Sequence, residues 1–294
     1  MKTAWMLTNS WLVWDKFEQQ YADLVAAAAR QGIDLVRLGN DEVAGGIEKL
    51  EAGKAPRPDF VLNMDKDVAV LRVLEAVGLR TINTAAAVAE CDNKALTYAA
   101  LRAAHLPQPR TLVAPTVFRP LSAAEWEHSK YVAAVERTLP YPVVVKEAVG
   151  SWGTGVFLAY NRAQLVDHLS DAGTKAVLVQ EFISAARGKD VRLYLLGRKV
   201  VAAMERSAPG DDFRANVTGG GSAQPCVPTL TMVETARRAM DAVGLDFGSV
   251  DFLIDDTGTE LICEVNSNAQ FVTLSAVTGV DVADAMMTWL SQSS

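Results

Sequence analysis

The sequence predicts an α/β protein, and three observations support that class. The first 90 residues alternate short apolar runs with helical segments, a pattern typical of a doubly wound domain. The remainder is rich in strand-like segments and closes with two of them, GSVDFLID and ELICEVN. Half of the 294 residues are hydrophobic, so the chain can bury a large core, and its length suggests two or three domains.

The first predicted domain, residues 1–90, has its elements in β-α-β-β-α-β order. Residues 15–31 carry apolar side chains at helical spacing, and Gly32 ends that helix. A second helix, VAVLRVLEAVG, follows the third strand. The strands are residues 3–8 and the segments IDLVRL, DFVLNM and TINT.

Two further regions, residues 91–180 and 181–294, complete the predicted organisation. A helix over 91–104 leads into HLPQPRTLVAPTVFRP, which carries four of the eleven prolines and therefore reads as a connector with short strands. Strands are predicted in AVLVQEFI, VRLYLLG and KVVAAMERS. Further helices are predicted at 122–138, 162–171, 229–243 and 280–291.

The composition argues against several classes of protein. A net charge of −7 does not favour a nucleic-acid surface, although it is compatible with a small anionic substrate. No apolar stretch has the length of a membrane helix, and the start MKTAWMLTNSW is too polar for a signal peptide. Cys91, Cys226 and Cys263 show no paired spacing, and the three histidines are scattered. We therefore expect a cytoplasmic protein without nucleic-acid or membrane partners and without a histidine metal site.

A glycine-rich loop, GSWGTG at residues 150–155, interrupts two apolar runs. It is either a tight hairpin turn or a flexible flap whose backbone amides contact phosphate. The common nucleotide loops are missing, because no GxGxxG follows the first strand and Asp190 follows Gly188-Lys189 where a Walker loop needs a hydroxyl. Trp152 at the tip either packs on the base of the loop or excludes water from a site below it.

The last two predicted strands carry an oxygen-rich set of side chains. Asp251 lies on the first, while Glu264 and Asn266 lie two apart on the second and so share one face. The turn DDTGT makes a hairpin of these strands, which brings residues 251 and 264 together. Such carboxylates are often simply solvated, but the flanking residues are apolar, and two carboxylates with an amide suit Mg²⁺ beside phosphate.

Arginines form a third candidate group. Arg192 and Arg206 lie in strand-like segments, and Arg214 lies two residues before Asn216. Arginine in such positions binds phosphate or carboxylate through paired hydrogen bonds. The alternative is a structural ion pair with Asp190 or Glu205.

In order along the chain, these motifs resemble the ATP-grasp superfamily, and within it the RimK-type glutamate ligases. The resemblance spans about residues 91–285, and the N-terminal region is similar to the α/β domain that precedes the grasp in that family. It implies an ATP-grasp fold of the α/β (α+β) type behind a doubly wound N-terminal domain. The matching segments are CDNKALTY, YPVVVKEAVGSWGTGV, VLVQEFI, GKDVRLYLLGRKVVAAMER, DFRANVTGGG, GSVDFLI, and CEVNSNAQF followed by TGVDVA.

The resemblance also implies roles for individual residues. The phosphates of ATP would be bound by Lys94 and Lys146 and covered by a flap that contains Gly150, Ser151, Trp152, Gly153 and Gly155. Adenine would be received by a hinge formed by Glu181, Phe182 and Ile183. The ribose would be held by the carboxylate of Asp190. One or two Mg²⁺ ions, or Mn²⁺, would be held by Asp251, Glu264 and Asn266. Arg206, Arg214 and Asn216 would serve catalysis, and Arg192 and Asn268 would place substrate.

The implied reaction joins a small-molecule carboxylate to an amine and converts ATP to ADP. The resemblance also implies a homo-oligomer. The segment NSNAQF stands where the family often has NSSPG or NASPG, and the flap GSWGTG differs from the GTQGIG type. The resemblance implies glutamate as the substrate, and these departures near the substrate site leave two alternatives: joining of two other amino acids, or glutamate transfer to a protein or cofactor.

Overall fold

The computed structural model describes residues 2–215 and 220–292, and its first sheet is built from the N-terminal segments. The elements are β1 (Lys2–Thr8), α1 (Asp15–Arg30), β2 (Ile33–Gly39), α2 (Val43–Glu51), β3 (Phe60–Asn63), α3 (Val68–Ala76) and β4 (Thr81–Ile82). The strands are all parallel and stand in the order β2-β1-β3-β4. Parallel strands joined by helices confirm the predicted doubly wound pattern.

The middle of the chain forms a second, antiparallel sheet of order β5-β8-β6-β7. The glycine-rich loop lies between β6 and β7, which pair directly, so it is the loop of a hairpin. The elements are α4 (Ala85–Cys91), α5 (Lys94–Ala103), β5 (Thr111–Val113), α6 (Ala123–Glu127), α7 (Lys130–Thr138), β6 (Val143–Glu147), β7 (Val156–Ala159), α8 (Arg162–Asp171) and β8 (Val177–Glu181).

The third sheet has the order β11-β10-β9-β12-β13 and is antiparallel throughout. Asp251 pairs with Glu264 across β12 and β13, as the predicted hairpin requires. The elements are β9 (Lys189–Leu196), β10 (Lys199–Ser207), β11 (Ser222–Pro225), α9 (Leu230–Val243), β12 (Phe247–Ile254), β13 (Glu260–Asn266), α10 (Val272–Thr278) and α11 (Val282–Gln292).

Two helices predicted as single pieces are divided. The predicted helix 91–104 begins instead at Lys94, because the Asn93 side chain accepts hydrogen bonds from the first backbone amides of α5 and caps it. The predicted helix 122–138 is split into α6 and α7, capped by Ser122 and Ser129 respectively. Capping side chains therefore begin new helices in segments whose apolar spacing alone predicts a single continuous helix.

Three described helices were not predicted: α2, α4 and α10. Helix α2 contains two adjacent glycines, which lower helix propensity, and α10 has only seven residues. Within the described ranges, no helix has both the length and the apolar character needed to cross a membrane.

A shared core joins the N-terminal sheet to the end of the chain. Buried residues of β1, β3 and α1 form one cluster with Tyr194, Phe271 and Met286. Helix α11 packs on α1, and Arg30 of α1 binds Asp284 of α11. The boundaries 1–90, 91–180 and 181–294 remain predictions.

Candidate active site

A cavity of about 590 Å³ opens between the three sheets. Its walls come from loops after β1 and β3, from β6 and β8, and from β9, β10, β12 and β13. Every site residue predicted from sequence lines it except two. Gly155, the last residue of the loop, faces Glu147, since an added Cβ would stand 2.8 Å from side-chain atoms of that residue. Asn216 falls outside the described residues.

Two lysines supply positive charge to one end of the cavity. Lys146 is buried on β6, and its Nζ donates to the Gln180 side chain at 2.7 Å. Lys94 at the start of α5 donates to the Gly150 carbonyl at 2.7 Å and lies 3.9 Å from Glu264. Burial lowers the pKa of Lys94, since desolvation penalises its charged form. This end of the cavity is therefore suited to an anion, whose charge would compensate for the water that the buried lysines have lost.

Arginines and carboxylates form a buried network in the middle of the cavity. Arg192 donates to both oxygens of Asp251, at 2.8 and 2.7 Å. Arg206 donates to both oxygens of Asp190, at 2.7 and 2.5 Å, and also to Asp251 at 2.8 Å. Four charged side chains thus lie within one set of hydrogen bonds, and both arginines bind carboxylates in a bidentate manner. Arg206 forms the alternative ion pair predicted with Asp190, whereas Arg192 pairs with Asp251, a partner that was not predicted.

The two carboxylates of this network titrate differently. Burial raises the pKa of Asp190 to about 6, and the nearby Asp251 adds to the rise while Arg206 opposes it. For Asp251 burial acts in the same direction, but Arg192 and Arg206 together outweigh it and lower the pKa. As the pH falls, Asp190 is therefore protonated before Asp251.

The oxygen-rich set predicted for a metal lies beside this network. Asp251 and Glu264 face each other across β12 and β13, and the Asn266 amide approaches Asp251 at 3.4 Å. Within residues 2–215 and 220–292, no three acidic, histidine or cysteine side chains cluster as a metal site. The set still fits Mg²⁺, because all three side chains offer oxygen ligands and each carboxylate oxygen can accept more than one partner. Phosphate oxygens would complete the coordination shell.

The glycine-rich loop closes over the lysine end. Trp152 takes a positive φ of 57°, and its ring lies 4.6 Å from that of Trp14 and 6.2 Å from that of Phe17. Arg214 donates to the Gly153 carbonyl at 3.2 Å and pairs with Asp212. The ring of Trp152 thus packs on α1 and the segment before it, a contact that was not among the predicted alternatives, and exclusion of water by this side chain stays a prediction.

The strand β8 presents its last residues in alternation. Gln180 faces Lys146 and the cavity, whereas the Glu181 carboxylate binds Arg110 at 2.8 and 3.0 Å. Hydrogen bonding to Arg110 lowers the pKa of Glu181. The Glu181 carboxylate is thus engaged by Arg110, and Gln180 supplies the inward polar group. The adenine-binding role of Glu181, Phe182 and Ile183 stays a prediction. Alternation of side chains along β8 could have identified Gln180 as the inward-facing residue, because it lies next to Glu181 and so faces the other way.

Sequence reasoning also missed the residues after β3. Asp65 and Lys66 line the cavity, and Lys66 binds Asp92 at 3.0 Å and the Ser151 hydroxyl at 3.3 Å. Their position was a usable signal, because ligands of doubly wound sheets bind at the carboxyl ends of the strands.

Residues 91–290 match the RimK-like ATP-grasp domain. The chain belongs to the RimK-like ATP-grasp family. This membership confirms the resemblance drawn from the motifs. The fold agrees with it: the ATP-complexed D-alanine–D-alanine ligase of Bacillus anthracis superposes with a TM-score of 0.74 at 15% identity, over 99% of this chain and 97% of that one.

Two relatives of this ATP-grasp chain have informative names. A probable alpha-L-glutamate ligase of Rhodopirellula baltica is 32% identical over 225 residues, 76% of this chain and 53% of the relative. The human N-acetylaspartylglutamate synthase A is 31% identical over 247 residues, 81% of this chain and 61% of the relative. The chain thus spans little more than half the length of these relatives.

Proposed function

We propose that the protein is an ATP-dependent carboxylate–amine ligase that forms an amide through an acyl phosphate and releases ADP and phosphate. One observation carries the proposal: a single cavity holds two phosphate-suited lysines, a covering loop and an oxygen-rich metal set. Membership of the RimK-like ATP-grasp family supports it.

ATP would lie with its phosphates at the lysine end. Lys94 and Lys146 would meet the phosphate oxygens, and the loop 150–155 would cover them. Adenine would reach the backbone of Glu181, Phe182 and Ile183, with the Gln180 side chain as a polar partner. The ribose is proposed to lie by Asp190, whose carboxylate Arg206 holds in place.

Magnesium would be held by Asp251, Glu264 and Asn266 together with phosphate oxygens. A bound magnesium ion would neutralise negative charge on the phosphates. Arg192 and Arg206 hold the oxygens of the Asp251 carboxylate, so that group is already oriented before substrates arrive. Oxygen ligands of this kind also accept Mn²⁺.

The reaction needs no protein nucleophile. A substrate carboxylate oxygen attacks the γ-phosphorus, and the bond to the β-phosphate oxygen breaks to give an acyl phosphate and ADP. The amine then attacks the acyl carbon, the carbon–oxygen bond breaks, phosphate leaves and the amine loses a proton. Arg206, Arg214 and Asn216 are proposed to steady the transferred phosphoryl group, and the closed loop keeps water from the acyl phosphate.

Glutamate is the proposed carboxylate substrate, and an amine or small amino acid is the acceptor. The name of the glutamate ligase supports glutamate as a substrate. The name of the N-acetylaspartylglutamate synthase supports amide formation with glutamate, although in that compound glutamate contributes the amine. Arg192 and Asn268 would help to place the substrates, as both line the cavity beyond the metal set.

The test is a screen for ADP release with ATP, Mg²⁺, L-glutamate and single amines, with mass detection of the product. The protein should release ADP only when carboxylate and amine are both present. Glu264→Gln should reduce that release at least about 100-fold, because it removes charge from the metal set, whereas Glu51→Gln at an exposed position should not. ADP release that ignores both substrates, or a phosphorylated product without amide, would overturn the proposal.

A further inference from the structure

A buried carboxylate at the end of β3 has an oxygen without a hydrogen-bond donor. Asp65 is only 5% exposed. Its Oδ1 accepts from Asn9 at 3.1 Å and from the Lys66 backbone amide at 2.7 Å. Its Oδ2 is buried and meets no donor among the described residues. A buried acceptor left in this state costs free energy, so it indicates a donor that comes from outside the chain.

A second acceptor lies at the same corner. Asn268 follows β13, and its Nδ2 donates to the Met64 carbonyl at 2.6 Å. Its Oδ1 is buried and likewise has no donor within the described residues. Because Met64 precedes Asp65 in the chain, this hydrogen bond places the Asn268 amide beside the backbone segment that carries Asp65. Both residues line the cavity.

The charge at this corner is negative and uncompensated in the described structure. Asp65 takes part in no ion pair within residues 2–215 and 220–292. The adjacent Lys66 ammonium binds Asp92 and Ser151 instead. The Tyr21 hydroxyl is buried nearby and makes no hydrogen bond that would satisfy the carboxylate. A small cation with several N–H donors would satisfy both oxygens, and a primary ammonium has that form.

Aromatic rings form the adjoining wall of the cavity. Trp14, Phe17 and Trp152 all line it, and the two tryptophans lie 4.6 Å apart while remaining 45% and 46% exposed. Such rings favour flat apolar groups and also attract cations to their faces.

We propose that this corner binds the amine substrate, as a primary ammonium on an aromatic carbon skeleton. Asp65 and Asn268 accept its N–H groups, and Trp14, Phe17 and Trp152 contact its ring. The proposal rests on the ligase function proposed above and adds the chemical class of the amine. Asp65 is the residue that sets this preference, through a charge that no group in the described protein neutralises.

Binding without turnover tests the proposal first. Tryptophan fluorescence is titrated with phenethylamine, with propylamine, which lacks the ring, and with 3-phenylpropionate, which carries a carboxylate in place of the ammonium. Phenethylamine should bind at least about tenfold more tightly than either. Asp65→Asn keeps the size of the side chain and should weaken phenethylamine at least about tenfold, while Asp34→Asn, an exposed change on the same sheet, should leave it unchanged.

The aromatic wall is tested with Trp14→Leu, which should weaken phenethylamine but not propylamine. The matched change Phe118→Leu, at a residue that is 97% exposed, should affect neither. Equal binding of the three probes, or equal affinity in Asp65→Asn and Asp34→Asn, would overturn the proposal. A folding defect in Asp65→Asn would be seen by circular dichroism, and Asn268→Asp, which adds negative charge at the corner, should then strengthen phenethylamine binding or the proposal fails.

Turnover separates this inference from the function on which it rests. With ATP and L-glutamate, Asp65→Asn should raise the KM for an aromatic amine and leave the KM for ATP within about twofold. If ADP release occurs but shows no preference for aromatic amines, the amine assignment is wrong and the ligase function stands. If phenethylamine binds as proposed and no amine supports ADP release, the ligase function is wrong.

Discussion

Single buried charges determine what this cavity can bind. Lys146 is 9% exposed and meets only the neutral Gln180 side chain in the described structure, so its charge lacks an anionic partner. Asp251, by contrast, is held by two arginines. A buried cation without a counter-ion is costly and is relieved by an anionic ligand, which is the physical basis for placing phosphate there.

Replacing Lys146 by methionine should weaken ATP binding by about 10- to 100-fold, since a hydrogen bond to a charged group is worth about 1.5–3 kcal/mol. Calorimetric titration with a non-hydrolysable ATP analogue measures it. Lys199→Met, at an exposed position on β10, is the matched control and should bind like the parent. Unchanged affinity in Lys146→Met would remove this lysine from the nucleotide site.

The β6–β7 hairpin and its loop are the element on which closure depends. A loop of this kind was predictable, because glycines between two apolar runs indicate a hairpin or a flap. Its partner was not, since the contact of Trp152 with Trp14 joins segments far apart in the chain, and no local pattern encodes it. The backbone at Gly153 has φ of 75° and approaches Arg214 closely, so the loop also depends on glycine.

Trp152→Gly should uncouple ATP consumption from amide formation. The substitution suits the positive φ at this position, so the loop keeps its course while the aromatic contact that shields the acyl phosphate is lost. We expect the ratio of ADP to amide to rise several-fold. Phe118→Gly, at an exposed site, should keep the parental ratio, and an unaltered ratio in Trp152→Gly would assign the ring a structural role only.

At the scale of the whole molecule, one buried side chain ties the N-terminal segment to the third sheet. The Asn83 amide is fully buried and donates to the carbonyls of Phe247 and Ser267, at 2.9 and 3.1 Å. Its oxygen accepts from the backbone amides of Asp246 and Phe247, at 2.7 and 3.1 Å. One residue thus joins the end of β4 to the start of β12 and to the residue after β13.

Asn83→Ala should destabilise the protein by at least about 3 kcal/mol, because it leaves several buried backbone groups unpaired at about 1–3 kcal/mol each. Thermal unfolding followed by circular dichroism should show a midpoint at least about 6 °C lower. Asn161→Ala removes an exposed helix cap and should cost only about 1 kcal/mol. Equal midpoints for the two variants would show that Asn83 does not join the sheets.

The sequence was most informative where chemistry follows from local order. The α/β class and the hairpin that pairs Asp251 with Glu264 could be predicted, since strand alternation and turns are local. The place of Lys94 and Lys146 in the cavity was implied by the resemblance of their motifs to the family. Pairings between distant segments could not. The ion pair of Glu181 with Arg110 and the pocket formed by Asp65 with Asn268 arise only when separate elements are brought together.

The most direct test of the central claim follows oxygen atoms. If the carboxylate attacks the γ-phosphorus, one of its oxygens must leave with phosphate when the amide forms. L-Glutamate labelled with ¹⁸O in its carboxyl groups, incubated with ATP, Mg²⁺ and an accepted amine, should give one ¹⁸O in each inorganic phosphate per amide, read by mass spectrometry. An amide formed at a glutamate carboxyl group together with unlabelled phosphate would contradict an acyl-phosphate ligase.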